Sequence, residues 1–267
     1  MLFACPNTTP ERVLLPTVSG KYSLLLSFAV MLVLFDVDGT MLSSHGAGIR
    51  AMQRAGRDMY GGHFSTEGVS FAGRIDPHIW RDMAGKNDVA DPDADLSRFI
   101  EMYHRELLHG FAADDRSLPL PGVKELVARL SETENITLGI LTGNFEPTGR
   151  LKLEKAGFDL SLFKILVWGV DGETRSHLPL VALEQYRELT GQNLPPEHAI
   201  IIGDTPHDVT CALDNGCRVL CVATGHYSVQ ELQQAGAHLA LPDLSDVDAV
   251  LQWLVSGRGD LVSVNTR

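Results

Sequence analysis

MLVLFDVDGTML, residues 31–42, is the stretch on which the reading of the fold turns. Its first five residues, from Met31 to Phe35, are all apolar. That is how a short strand reads when both its faces are buried in the middle of a parallel sheet. The run stops at Asp36, and Asp38, Gly39 and Thr40 follow. In an open α/β sheet, ligands bind in the crevice beyond the carboxyl ends of the strands. Two carboxylates placed there are costly to hold unless a cation or a proton compensates them. An Asp-Gly hairpin turn would account for Asp38 and Gly39. It would not account for Asp36, and no second strand is readable after Thr40.

Two further strand ends downstream carry polar groups in the same way. Residues 136–141 read as a buried strand that ends in Thr142-Gly143-Asn144. A hydroxyl at a strand's carboxyl end, with a glycine next so that the backbone can approach a ligand, suits phosphate binding. Residues 199–202 read as another buried strand, followed by Gly203-Asp204-Thr205-Pro206-His207-Asp208. Thr205 is placed to cap a helix and Pro206 to open it, so the helix begins directly after Asp204. Asp208 then lies in the first turn, where the helix dipole favours a carboxylate. Capping explains Asp208 but not Asp204. A carboxylate-only ligand set of this kind suits Mg²⁺, and His207 reads as a surface residue.

The segments LFDVDGT, Thr142 and GDTPHD, in this order and at strand ends, resemble the motifs of the haloacid dehalogenase-like hydrolases in their phosphatase form. The resemblance extends from residue 31 to about residue 254. It implies an α/β fold, a doubly wound parallel sheet with a helical cap inserted after the first strand. It also implies a nucleophile at Asp36 that becomes an aspartyl-phosphate, and a general acid/base at Asp38. Thr142, Gly143, Asn144 and a cation would hold the phosphoryl oxygens. Mg²⁺ would be bound by Asp36, the Asp38 carbonyl, Asp204 and Asp208. Relatives of this type usually supply the cation as a Lys beyond the third strand. GETRSHLPLVALEQY has no Lys there, and Arg175 is the replacement expected. Lys152 and Lys155 fall within a helix over 145–156, where Lys ordinarily faces water, and Lys164 opens a strand at the end away from the site. The implied substrate is a small phosphomonoester, of the phosphoglycolate or sugar-phosphate type. A phosphomutase would need cap His and Lys residues, for which His63, His78 and Lys86 are the candidates. A 2-haloacid dehalogenase would not use the second carboxylate, Asp38. A non-catalytic phosphate-binding regulatory module would not need both Asp36 and Asp38.

Between the first strand and Pro121-Gly122 the pattern is helical, which gives an expected cap over 43–120 and a core from 31–42 and 121–256. Ile49, Met52 and Met59 fall on one helical face. Leu96, Phe99, Ile100, Tyr103, Leu107 and Phe111 form a cleaner stripe. Arg74, in the loop before Pro77, could reach a distal anion on the substrate, or pair with Asp76 or a neighbouring helix. Residues 1–30 show no periodicity and are expected to be a disordered extension. Their apolar stretch over 22–35 is shorter than the roughly twenty residues a membrane span needs. Residues 257–267 read as a frayed tail. The chain has 267 residues and a net charge of −12, which argues against nucleic acid or an anionic membrane surface as a partner. Four cysteines without CxxC spacing point to reduced thiols and a cytoplasmic setting, as monomer or homodimer.

Overall fold

The computed structural model describes residues 30–113 and 117–256. The expected amino-terminal extension, apart from Val30, and the expected tail lie outside the described residues. The strands are β1 (Met31–Phe35), β2 (Leu42–Ser43), β3 (Leu118–Pro119), β4 (Ile136–Leu141), β5 (Ile165–Val167), β6 (Ala199–Gly203), β7 (Arg218–Val222) and β8 (Leu239–Leu241). The helices are α1 (Ala47–Tyr60), α2 (Asp76–Lys86), α3 (Pro92–Ala113), α4 (Val123–Ser131), α5 (Glu146–Lys155), α6 (Leu178–Thr190), α7 (Pro206–Leu213), α8 (Val229–Gln234) and α9 (Val247–Ser256).

Six of the strands form one sheet in the order β5-β4-β1-β6-β7-β8, and every pairing in it is parallel. β1 is therefore central, with β4 on one side and β6 on the other. Successive side chains of a strand point to opposite faces. Met31, Val33 and Phe35 enter the core beneath α4 and α9, with Leu126, Leu130, Val250 and Trp253. Leu32 and Leu34 enter the opposite core, with Leu178, Ala182, Val209 and Leu232. Helices thus cover both faces, and this is why β1 tolerates no polar residue along its length. The expected α/β class and the parallel sheet are what the structure has. The edge strand β5 begins at Ile165, one residue after the Lys164 at which the sequence reading opened it.

Helices α1 to α3 occupy the chain between β2 and β3. Those two strands form a separate antiparallel ribbon, Leu42 opposite Pro119 and Ser43 opposite Leu118. A strand does therefore follow Thr40, contrary to the sequence expectation. Two residues are too few to show a period, and the partner lies far along the chain. The three helices share an aromatic core built on Trp80, Phe99, Tyr103 and Phe111. Trp80 and Phe99 stack at 4.1 Å between ring centroids, an arrangement worth about 1 kcal/mol beyond the area it buries. Phe145, from the turn after β4, sits edge-on to Phe99 and Tyr103. The expected common face of Ile49, Met52 and Met59 is only partly realised. Met52 is buried, whereas Ile49 is 40% exposed. Among the described residues no helix is long and apolar enough to cross a membrane, and Cys211, Cys217 and Cys221 are buried free thiols.

Candidate active site

Because β4, β1 and β6 are neighbours, their carboxyl ends bring Thr142, Asp36 and Asp204 side by side at the point where the strand order reverses. All three side chains are buried. Asp36 accepts the Val37 amide at 2.8 Å. Asp204 accepts the Thr40 hydroxyl at 3.4 Å. Gly225 fits against Asp204 because it has no side chain: a Cβ there would lie 1.7 Å from Oδ2.

Two buried cations hold the acids. Arg175 sits in a short 3₁₀ turn before α6. Its Nη2 lies 3.0 Å from Asp36 Oδ2 and also donates to Asp208 Oδ1. The other Asp208 oxygen accepts the Thr205 amide at 3.0 Å and the Thr205 hydroxyl at 2.7 Å, closing the capping box of α7. Both oxygens of Asp208 are therefore engaged, and its position serves Arg175 and the start of α7. The second cation is Lys152 on α5. Its Nζ donates to Asp38 Oδ2 and to Asn144 Oδ1, each at 2.6 Å. Asn144 Nδ2 in turn donates to Asp38 Oδ2 at 2.9 Å and to Thr142 Oγ1 at 2.8 Å. Lys152 corrects the expectation of a solvated helix face, since its side chain is only 5% exposed. A signal for it was present in the sequence. Thr148 and Lys152 lie four residues apart on one face of α5, in line with Asn144 in the turn just before it.

The insertion is pinned to the same strand end. The Asp76 amide donates to the Gly143 carbonyl at 2.7 Å, and the Phe145 amide donates to Asp76 Oδ2 at 2.9 Å. A Cβ on Gly143 would lie 2.2 Å from the Arg74 carbonyl, so only glycine lets the two loops approach this closely. The Arg74 side chain pairs with Asp82 at 2.5 Å and donates to the Ser70 carbonyl at 3.2 Å. His207 is exposed, as the sequence suggested. Sequence reasoning weighed Lys152 and set it aside as solvated, and gave Asp76 no role beyond a possible partner for Arg74.

Burial raises the Asp36 carboxyl to about 6, although Arg175 pulls the other way, and Asp208 adds to the rise. Burial, with Asp208 and Asp36 nearby, raises Asp204 well above the ordinary carboxylate range. Arg175 and Lys152 are both held protonated: burial opposes their charge, and their carboxylate partners outweigh it. The cluster thus has more buried acid than two cations balance, and a divalent ion would relieve the excess. Carboxylate oxygens of Asp36, Asp204 and Asp208 lie within 4.8 Å of one another. The donor set is all oxygen, which fits a hard divalent metal.

These groups open into a cavity of about 470 Å³. Its floor is the cluster just described, and its far wall comes from the insertion, with Ile49, Met52, Phe71, Ile79 and Tyr103. His63, His78 and Lys86 do not line it. The phosphomutase candidates are thus away from the site.

The model of the haloacid dehalogenase-like hydrolase family matches residues 33–222, and the chain belongs to that family. It is an enzyme of hydrolase type. Its relatives include a phosphoglycolate phosphatase from Nitrosospira multiformis, 24% identical over 82% of this chain and 95% of the relative. Pyrophosphatase PpaX from Oceanobacillus iheyensis is 23% identical, over 84% of this chain and 97% of its own length. Among solved structures, a hydrolase from Pseudomonas syringae superimposes with a TM-score of 0.63 at 21% identity. That match covers 84% of this chain and 98% of the other.

Proposed function

We propose that this protein is a magnesium-dependent phosphomonoester hydrolase that works through an aspartyl-phosphate on Asp36, acting on a small phosphorylated metabolite. The observation that carries the reading is the separate holding of two carboxylates two residues apart. Asp36 is clamped by Arg175 and Asp38 by Lys152 and Asn144. One is aimed as a nucleophile and the other as a proton carrier.

In this reading Asp36 attacks phosphorus in line with the ester oxygen, and the P–O bond to the alcohol breaks as the new one forms. Asp38 gives its proton to the departing alkoxide. It then takes a proton from a water molecule, whose oxygen attacks the aspartyl-phosphate and releases phosphate from Asp36. Thr142, the Gly143 backbone and Asn144 hold phosphoryl oxygens with Arg175, whose Nε is buried and has no hydrogen-bond partner of its own. Asp36, Asp204 and the Asp38 carbonyl would hold Mg²⁺, which supplies charge neutralisation between nucleophile and phosphate dianion. Asp208 keeps Arg175 in place. Helices α1 to α3 act as a cap that excludes water and reads the alcohol.

The test is Asp36→Asn, assayed with an aryl phosphate and Mg²⁺ after removal of adventitious metal by EDTA. Turnover and acid-stable labelling by phosphate should disappear together. Undiminished turnover in Asp36→Asn would remove the covalent mechanism.

A further inference from the structure

The cap wall of the cavity carries a consequence for the substrate. Side chains of Ile49, Met52, Phe71 and Ile79 line the cavity together with Tyr103, whose hydroxyl is engaged by Thr148. Ile49, a large apolar side chain 40% exposed on α1, is set apart from the other exposed apolar residues by lining this cavity. α1 also carries Arg50, Arg54 and Arg57, but none of them lines the cavity. They donate to the His45 carbonyl, to Glu106 and to the Phe64 carbonyl. The cations that do line it are already matched. Lys152 is matched by Asp38, Arg175 by Asp36 and Asp208, and Arg74 by Asp82. Of the polar side chains at the mouth, the Ser44 and Thr224 hydroxyls turn back to Asp38 and to the Gly39 carbonyl. His45 and His226 are exposed.

We infer that the group esterified to the phosphate is an uncharged, apolar alcohol, a short alkyl or aryl chain, and not one bearing a second anion such as glycolate. This rests on the phosphatase reading above and narrows it. A carboxylate pointed at the cap would lose its hydration against mainly apolar side chains, and among the described residues every Lys and Arg lining the cavity is already paired. A methylene there would gain instead, by about fourfold in affinity for each one buried. Arg74, the residue that sequence suggests for a distal anion, presents no net charge while Asp82 is on it.

The full chain with Mg²⁺ is assayed on methyl, ethyl, n-propyl and n-butyl phosphate and on 2-phosphoglycolate, which is close to the propyl ester in size. kcat/KM should rise by about fourfold per methylene until the cavity is filled. n-Propyl phosphate should exceed 2-phosphoglycolate on the order of tenfold or more. Ile49→Arg, which puts a cation on the wall, should narrow or invert that ratio. A flat alkyl series, or a preference for 2-phosphoglycolate in the parent, would overturn the inference and leave the phosphatase reading intact. Should no ester turn over, the phosphatase reading fails. Calorimetric titration with the same compounds then decides the inference. Tighter binding of n-propyl phosphate supports it, while tighter binding of 2-phosphoglycolate, or no binding of either, overturns it.

Discussion

Replacing Lys152 by methionine isolates what the second cation does. Methionine keeps the length and volume of the stem and removes the ammonium, whose side chain is 5% exposed and lies 2.6 Å from both Asp38 and Asn144. Two hydrogen bonds are lost, and the buried Asn144 carbonyl is left without that donor, at a cost of about 1–3 kcal/mol. Two effects offset this. The ammonium no longer has to be desolvated, which recovers several kcal/mol. Asp38, 42% exposed, can turn to water. Tm should therefore stay within about 5 °C of the parent. Turnover should not be spared, because Asp38 loses the group that aims it at the leaving oxygen. kcat should fall on the order of a hundredfold. KM should change by no more than about threefold, since Lys152 is bound to Asp38 and not placed on the phosphate. Lys152→Arg should not rescue. Nζ lies 2.6 Å from both Asp38 and Asn144, a spacing that suits a compact ammonium, and a planar guanidinium on a longer stem would have to displace one of them. Steady-state kinetics with thermal unfolding on the same samples test this. A Lys152→Met protein within about twofold of parental kcat would refute the positioning argument. So would a loss of activity that merely follows a loss of Tm.

Arg175→Ala should cut kcat by about a hundredfold to a thousandfold, with Arg175→Lys recovering part of it as a point charge without the fork. Parental turnover in the alanine variant would show that Arg175 is not the cation of the phosphate site. Asp76 is raised from 3.8 to about 7, because burial outweighs the pull of Lys152. The folded state therefore binds that proton more tightly than the unfolded chain does. The stability it contributes is complete below about pH 4 and lost as pH rises through about 7, at most about 4 kcal/mol. Asp76→Asn can keep the bond from the Phe145 amide without ionising. Its Tm should accordingly gain on the parent between pH 5 and pH 8, and a constant difference would count against the shift. Gly225→Ala would put a methyl 1.7 Å from Asp204 Oδ2. Calorimetry should find Mg²⁺ affinity weakened by about tenfold or more in a folded protein, and unchanged affinity would take Asp204 out of the metal site.

What could be read from sequence was what depends on local pattern. Met31 to Phe35 announced a strand buried on both faces because the central strand of a parallel sheet has no solvent face. Asp36, Thr142 and Asp204 were legible because each interrupts such a run at its end. The Thr205-Pro206 start of α7 was legible because caps act within one turn. Lys152 was misread because its burial depends on where α5 lies relative to Asp38, a contact between residues 114 apart in sequence. Ile49 was misplaced for a related reason. Helical periodicity gives the face a residue occupies, not whether that face meets a core or a cavity. The role of Asp208 was divided between metal and cap in the sequence. Only the position of Arg175 shows that the second oxygen is taken as well as the one that closes the cap.

The ribbon of β2 and β3 bears on the order in which the chain can fold. Pairing Met31 with Ile136 closes a loop of roughly a hundred residues, an entropic cost that grows with the logarithm of its length. The helices between them share one aromatic core around the Trp80–Phe99 stack and can dock on one another first. Once Ser43 faces Leu118, the loop left to close before β1 meets β4 is roughly thirty residues. The difference amounts to about 1 kcal/mol of closure entropy removed from the sheet's nucleation. On this account the insertion, whatever it does for the chemistry, serves the polypeptide first as a clamp on a contact between distant strands. Mutations in the ribbon should then register in the refolding rate before they register in turnover.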